Sequence, residues 1–264
     1  LIFDRDDLWA LYPDPQTEED KVIAAKFRAL AGTGASVLGG GGSAGGDRAS
    51  IRLLPQDVEL IRAVAAENAH TVVVIESAGA VIIDEWDDVP SAILVGWYPG
   101  MEGGHALADV LLGAVDASGR LPFSIPTTEE HLPALDINAT AITYDKWFGQ
   151  RLIDKLGAEA AYPLGFGLSY TTFDLTPTSA RRDGDAALVT VAVRNTGDRD
   201  GRQVIQLYGK DADGSRHLLG FQPVEVEAGG ETSVDVIAVL SPLGQWNADT
   251  RVIDIPEGAV HIEV

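Results

Sequence analysis

Trp97-Tyr98-Pro99-Gly100-Met101-Glu102-Gly103-Gly104, followed by Gly119-Arg120-Leu121-Pro122-Phe123-Ser124-Ile125-Pro126, is the stretch that decides the fold. The glycine cluster opens an amphipathic helix expected from Glu102 to Leu112 and stopped by Gly113. Glycines at 100, 103 and 104 allow close backbone approach at that helix start, and Glu102 serves the helix start or an interface. A phosphate cradle is the alternative, but the cluster has neither the lysine nor the spacing of a P-loop. The Gly-Arg-Leu-Pro segment reads as a strand entry in which Arg120 bonds backbone carbonyls.

Upstream, Leu54-Pro55-Gln56-Asp57 starts a helix to about Asn68, with Leu60, Ile61, Val64 and Ala65 on one face. Thr71 to Ile75 is a β-branched run suited to a buried parallel strand. Val81 to Ile83 is a second apolar run, and Ala92 to Val95 is another strand. This alternation predicts a layered α/β domain with a mainly parallel sheet over residues 31–169. Residues 1–30 read as a lead-in, in which Thr17-Glu18-Glu19-Asp20 could cap a helix to about Leu30. Ala35 to Leu38 is a strand stub, and Gly39 to Gly46 is a glycine loop.

Downstream, the rhythm changes near Phe173. Ala187–Arg194, Gln203–Tyr208, Pro223–Glu227, Ser233–Val239 and Val260–Val264 alternate with period two. Asn195-Thr196-Gly197, Asp213-Gly214, Gly229-Gly230 and Glu257-Gly258 separate them as turns. Short strands at this spacing predict an all-β sandwich over residues 170–264.

The 264 residues allow two modest domains, and the 45 % hydrophobic share supports a core without staples. With no cysteine, neither a disulfide framework nor a cysteine zinc site can form; this suits a cytoplasmic protein and equally a secreted bacterial one. A net charge of −21 argues against nucleic acid and against an anionic membrane surface as partners. No stretch approaches the about 18 apolar residues of a membrane-spanning helix. The five histidines show no metal-ligand spacing, and no cofactor motif appears. There is no signal peptide and the chain does not begin with Met, so it reads as a piece of a longer protein.

Gly46-Asp47-Arg48, the two segments quoted first, and Tyr162-Pro163-Leu164-Gly165-Phe166-Gly167-Leu168-Ser169-Tyr170 occur in an order that resembles glycoside hydrolase family 3. That family contains β-glucosidases, β-xylosidases and related exo-acting enzymes. The resemblance runs from about Gly39 onward and matches the second half of such an enzyme. Arg194-Asn195-Thr196-Gly197, Val204-Ile205-Gln206-Leu207-Tyr208 and Leu219-Gly220-Phe221 resemble the fibronectin type III-like domain that ends many members. Gly165-Phe166-Gly167 departs from the usual Gly-His-Gly, and Gly149-Gln150-Arg151 departs from a Gly-Tyr-Arg-like phrase.

The resemblance implies retaining hydrolysis of a terminal β-linked glucose or xylose, with a carbohydrate as substrate. Such chemistry needs two carboxyl groups about 5–5.5 Å apart. In the family the nucleophile is an Asp on an N-terminal (β/α)8-type barrel, which is absent from this chain and is expected as a partner in cis or as a separate chain. The acid/base is a Glu in the phrase Ser-Glu-Gly-x-Asp-Arg. Here the phrase is Ser43-Ala44-Gly45-Gly46-Asp47-Arg48, so Ala44 occupies the Glu position and the acid is not carried over. A deliberate change, a natural variant with its acid elsewhere, and residues missing from the sequence remain three open explanations.

Asp47 is the nearest alternative acid, although an ion pair with Arg48 that holds the loop is the favoured reading and would lower its pKa. Arg48 and the segment Asp84-Glu85-Trp86 are candidate substrate-binding residues. Ligands of open α/β sheets gather beyond strand carboxyl ends, and Trp86 could stack on a sugar face. The competing reading is a solvated acidic turn with Trp86 as core filler. Glu76, at the end of its strand, is a third carboxylate. Two rival functions stay open: a phosphorylase-like enzyme with altered acid/base, and a non-catalytic carbohydrate-binding or assembly module. The terminal sandwich could help form a homodimer.

Overall fold

A computed structural model describes residues 50–134, 139–143 and 145–264. The helix expected from Thr17, the strand stub, the glycine loop, Ala44, Asp47 and Arg48 lie outside the described residues. The chain divides into two compact units. Residues 50–75 with 79–95 belong to the first, and 76–78 with 96–264 form the second.

In the first unit, α1 spans Pro55–Glu67, with Pro at its first turn and Asp57 beside the helix N-terminus. Its buried side is Val58, with Ile61 and Ala65 half-buried. Leu60 and Val64, expected on the core face, are 63 % and 47 % exposed. Strands β1 (Val72–Ile75) and β2 (Ala92–Val95) pair in parallel, Val73 opposite Ile93. An isolated parallel bridge joins Arg52 to Ile82. The parallel sheet among the described residues is therefore two four-residue strands and this bridge. Val81, Ile82 and Ile83 are sealed from solvent, which accounts for their run of apolar side chains.

The second unit opens with α2, Gly103–Leu111. Its end follows from Gly113, whose φ of +73° lets the chain reverse. Gly113 N–H then bonds Val110 O (3.0 Å) and Ala114 N–H bonds Asp109 O (2.8 Å), a Schellman closure. At the other end a Cβ on Gly103 would lie 2.5 Å from Pro99 Cγ, so that glycine is required by packing; Gly104 has open space around it. Next come β3 (Ile125–Pro126), a 3-10 turn, α3 (Gln150–Lys155) and β4 (Ala160–Tyr162), with β3 antiparallel to β4.

The two glycine motifs that flank this region form one structure. Leu121 N–H bonds Phe166 O and Gly165 N–H bonds Leu121 O, both at 2.8 Å. A Cβ on Gly167 would sit 2.2 Å from Gly119 O. Arg120 donates to the carbonyls of Ser118, Gly119 and Leu168 and, at 2.6 Å, to Gln203 Oε1. The expected carbonyl-binding role of Arg120 is what the structure shows.

Five long strands follow: β5 (Phe173–Asp183), β6 (Ala186–Asn195), β7 (Gly201–Lys210), β8 (Arg216–Val226) and β9 (Glu231–Val239). One antiparallel sheet has the order β5-β6-β9, and a second pairs β7 with β8. The alternation in β6 points Ala187, Val189, Val191 and Val193 to one side. They share a core with Ile205 and Leu207 of β7, Leu219 and Val226 of β8, and Val236 and Ala238 of β9. Each fully buried Val, Ile or Leu there contributes about 1.5–3 kcal/mol.

Asn195 ends the inward row of β6 and is fully buried, yet it is satisfied. Thr171 Oγ1 donates to its Oδ1 (2.6 Å), and its Nδ2 donates to Arg199 O (2.7 Å) and Val226 O (3.0 Å). The Asn195-Thr196-Gly197 phrase is thus a clasp between strands. The expected strand at Val260–Val264 appears as a single antiparallel bridge, Tyr208 to Glu263. A short hairpin, β10 (Gln245–Asn247) with β11 (Val252–Asp254), completes the described structure.

Candidate functional site

Asp84 and Glu85, two of the carboxylates read from the sequence, lie on the turn after the buried Val81–Ile83 run. Trp86 N–H and Asp87 N–H both bond Ile83 O at 2.9 Å, and Val89 N–H bonds Trp86 O at 3.1 Å. This tight turn exposes Asp84 and Glu85 and directs Trp86 inward. Trp86 is fully buried, and its Nε1 has no hydrogen-bond partner. A ring that stacks on a sugar needs an open face, so the stacking role offered for Trp86 is corrected, and the competing reading of Trp86 as core filler is the one its burial supports.

Glu85 is held at both ends. Its Oε1 accepts from Arg52 Nη1 at 2.8 Å, and its backbone oxygen accepts from Arg62 Nη2 at 2.6 Å. The Arg52–Glu85 pair is about a third exposed on each side, at 32 % and 39 %, so it orients more than it stabilises. Asp84 remains exposed. Glu76, which follows β1 in the chain, is exposed as well.

Asp87 is the residue that sequence reasoning missed. Burial first, then the neighbouring Asp84 and Asp88 carboxylates, hold its carboxyl above the ordinary value. That direction is the opposite of what an ion pair does to a carboxylate. The run Asp84-Glu85-Trp86-Asp87-Asp88 contained the signal: three aspartates share one turn once Trp86 is inside.

Around α2 and α3 the polar side chains are positioning groups. Glu102 sits at the α2 N-cap, and its Oε2 meets His105 Nδ1 at 2.8 Å on the surface. Gln150 Oε1 receives Ser124 Oγ–H at 2.6 Å and Leu164 N–H at 3.2 Å, and Gln150 Nε2 donates to Asp154 at 2.8 Å. The residue that departs from the family phrase is therefore the joint between β3, α3 and the segment after β4. Among the described residues no group of three His, Asp or Glu side chains is arranged to hold a metal ion.

Comparison with known proteins agrees on what this architecture is. The family model for the glycosyl hydrolase family 3 C-terminal domain matches residues 14–170. A xylan 1,4-β-xylosidase from Xylanibacter ruminicola is 33 % identical over 228 residues, 84 % of this chain and 25 % of that protein. A β-glucosidase from Kluyveromyces marxianus is 33 % identical over 224 residues, 78 % of this chain and 26 % of that protein. Among solved structures, a β-glucosidase from Bifidobacterium adolescentis superposes with a TM-score of 0.73 at 31 % identity, covering 84 % of this chain and 36 % of that one. The β-D-glucoside glucohydrolase of Trichoderma reesei, at 24 % identity and a TM-score of 0.75, shares the fold. This chain spans about a quarter of the length of the curated relatives it matches. The match over residues 14–170, with relatives 33 % identical across most of the chain, makes this protein a member of glycosyl hydrolase family 3 that carries the family's C-terminal domain.

Proposed function

We propose that this chain is the C-terminal part of a retaining, exo-acting β-glycosidase that removes terminal β-linked glucose or xylose from oligosaccharides or glycosides. The observation that carries the reading is the identity of 33 % with a β-xylosidase and a β-glucosidase over 84 % and 78 % of this chain. In this reading residues 31–169 form an α/β domain that packs on an N-terminal barrel, supplied in cis or by a separate chain. Residues 170–264 form a fibronectin type III-like sandwich that stabilises the assembly and could help it dimerise. The end of the family match at residue 170 supports that division.

The barrel supplies the nucleophilic carboxylate, which attacks the anomeric carbon and expels the leaving oxygen. A second carboxyl protonates that oxygen, then takes a proton from the water that releases the sugar. Asp47 is the alternative acid of the glycine loop beside Arg48, and Asp84 and Glu85 contact substrate. The anomer first released from a p-nitrophenyl β-glucoside, followed by NMR on the purified protein, tests the stereochemistry. The β anomer supports retention; the α anomer overturns it.

Ala44 favours a second reading, an enzyme with altered acid/base that uses phosphate as the attacking group. Turnover that rises with phosphate and yields a sugar phosphate supports it; a rate indifferent to phosphate removes it.

A further inference from the structure

The turn between β7 and β8 and the β10–β11 hairpin enclose a groove of ≈ 290 Å³, lined by Lys146, Arg151, Asp211, Asp213, His217 and Trp246 among others. All of these residues lie within the second unit. Trp246 stands 64 % exposed at the groove edge, opposite Ile253 across the hairpin. The hairpin presents it rigidly: Asn247 Nδ2 donates to Asp254 Oδ2 at 2.8 Å, and Arg251 N–H bonds Asn247 O at 2.8 Å. A Cβ on Gly244 would lie 2.4 Å from Ile253 Cγ2, so the two strands meet closely beside the ring.

The polar lining is sorted by what is already occupied. Asp211 Oδ1 accepts from the N–H groups of Asp213 and Ser215, and its Oδ2 meets His217 Nε2 at 3.0 Å. Both side chains of that pair are nearly buried, at 12 % and 13 % exposure. Asp213 is taken by Lys146. Arg151 has a different neighbour, the face of Phe148 at 5.0 Å, and no carboxylate within ion-pair distance among the described residues. Lys146 and His217 are therefore each paired with an aspartate, while the Arg151 fork is the cationic donor with no ion pair among the described residues. His217 Nε2 faces Asp211, so its Nδ1 is the ring nitrogen left for a ligand hydroxyl.

An exposed indole beside the unpaired Arg151 guanidinium and polar acceptors matches a ligand with an apolar C–H face, hydroxyls and a carboxylate. We propose that this groove binds a saccharide carrying a carboxylate, a hexuronosyl unit, stacked on Trp246 with its carboxylate on Arg151. The inference goes beyond the glycosidase reading, because the site is made entirely within this chain and needs no turnover.

Calorimetric titration of the 264-residue chain with methyl β-D-glucuronide, methyl β-D-glucoside and acetate tests it. The glucuronide is expected to bind at least about tenfold more tightly than the glucoside, with acetate giving no heat. Trp246→Ala removes binding of both sugars, and its exposed position leaves the fold intact. Arg151→Gln reduces the glucuronide to the glucoside level and leaves the glucoside unchanged. Equal binding of the two sugars, binding that survives Trp246→Ala, or no heat with the glucuronide overturns the proposal. None of these results depends on hydrolysis, so a failed glycosidase assay and a failed titration are separate outcomes.

Discussion

In β6, Val189, Val191 and Val193 are at most 2 % exposed, whereas in α1 Leu60 and Val64 stand 63 % and 47 % exposed and Val58 is the buried residue. The strand alternates cleanly because the sheet has a second sheet to pack against. The helix carries more apolar surface than its described surroundings cover. The β region after Phe173 thus completes its own core, whereas α1 leaves Leu60 and Val64 exposed. The same contrast appears in the carboxyls. Asp211 sits among donors that outweigh its burial and hold its pKa down, while Asp87 is held up by burial first and then by the neighbouring Asp84 and Asp88 carboxylates.

The comparison breaks most readily at the core. Ile205→Ala, at a fully buried position shared by both sheets, is expected to cost about 2–5 kcal/mol in urea unfolding. Leu60→Ala is expected to stay within about 0.5 kcal/mol. Equal costs would show that α1 is as fully packed as the β core. Next in size is Gly167→Ala. Its Cβ would press on Gly119 O, and the displaced joint between the two glycine motifs is expected to cost about 1–3 kcal/mol, read as a lowered Tm.

The carboxyls give smaller effects of opposite sign. A depressed pKa means that Asp211 stabilises the fold above the ordinary carboxylate pKa, and that this is lost as pH falls through its folded pKa. Asp211→Asn is therefore expected to lower stability at neutral pH and to flatten the acid side of the stability curve. A raised pKa means the reverse for Asp87: stability is full below the ordinary carboxylate pKa and declines as pH rises through its folded pKa. Asp87→Asn is expected to gain less than about 1 kcal/mol at neutral pH and nothing in acid. A gain at acid pH would contradict the raised direction of the Asp87 pKa.

Legibility in the sequence followed the same division. The strands of β6, β7 and β9 and the turn glycines at 214, 229 and 258 were readable, because one-sided burial forces a period of two and the reversals need positive φ. β5 was not readable: most of its residues are exposed, and Pro177 adjoins a register shift, so it shows no alternation. Val260–Val264 alternates in sequence but finds a single bridge, since period two states a preference and not a partner. Helix α2 and its stop at Gly113 were legible from local chemistry. For Trp86 the sequence left two readings, sugar stacking and core filler, and the turn at Ile83 decides for the core. Asp87 escaped because its raised pKa needs the folded turn, which buries it and sets it beside Asp84 and Asp88.

The most direct test of the central claim is hydrolysis of p-nitrophenyl β-D-glucoside and β-D-xyloside by size-separated native protein, with the intact mass of each active fraction measured. The account predicts activity only in species well above the 27.9 kDa of this chain, or in a complex with a second, barrel-bearing chain. Hydrolysis by the 27.9 kDa chain alone would contradict it, because both carboxyl groups of the reaction would then lie within these 264 residues.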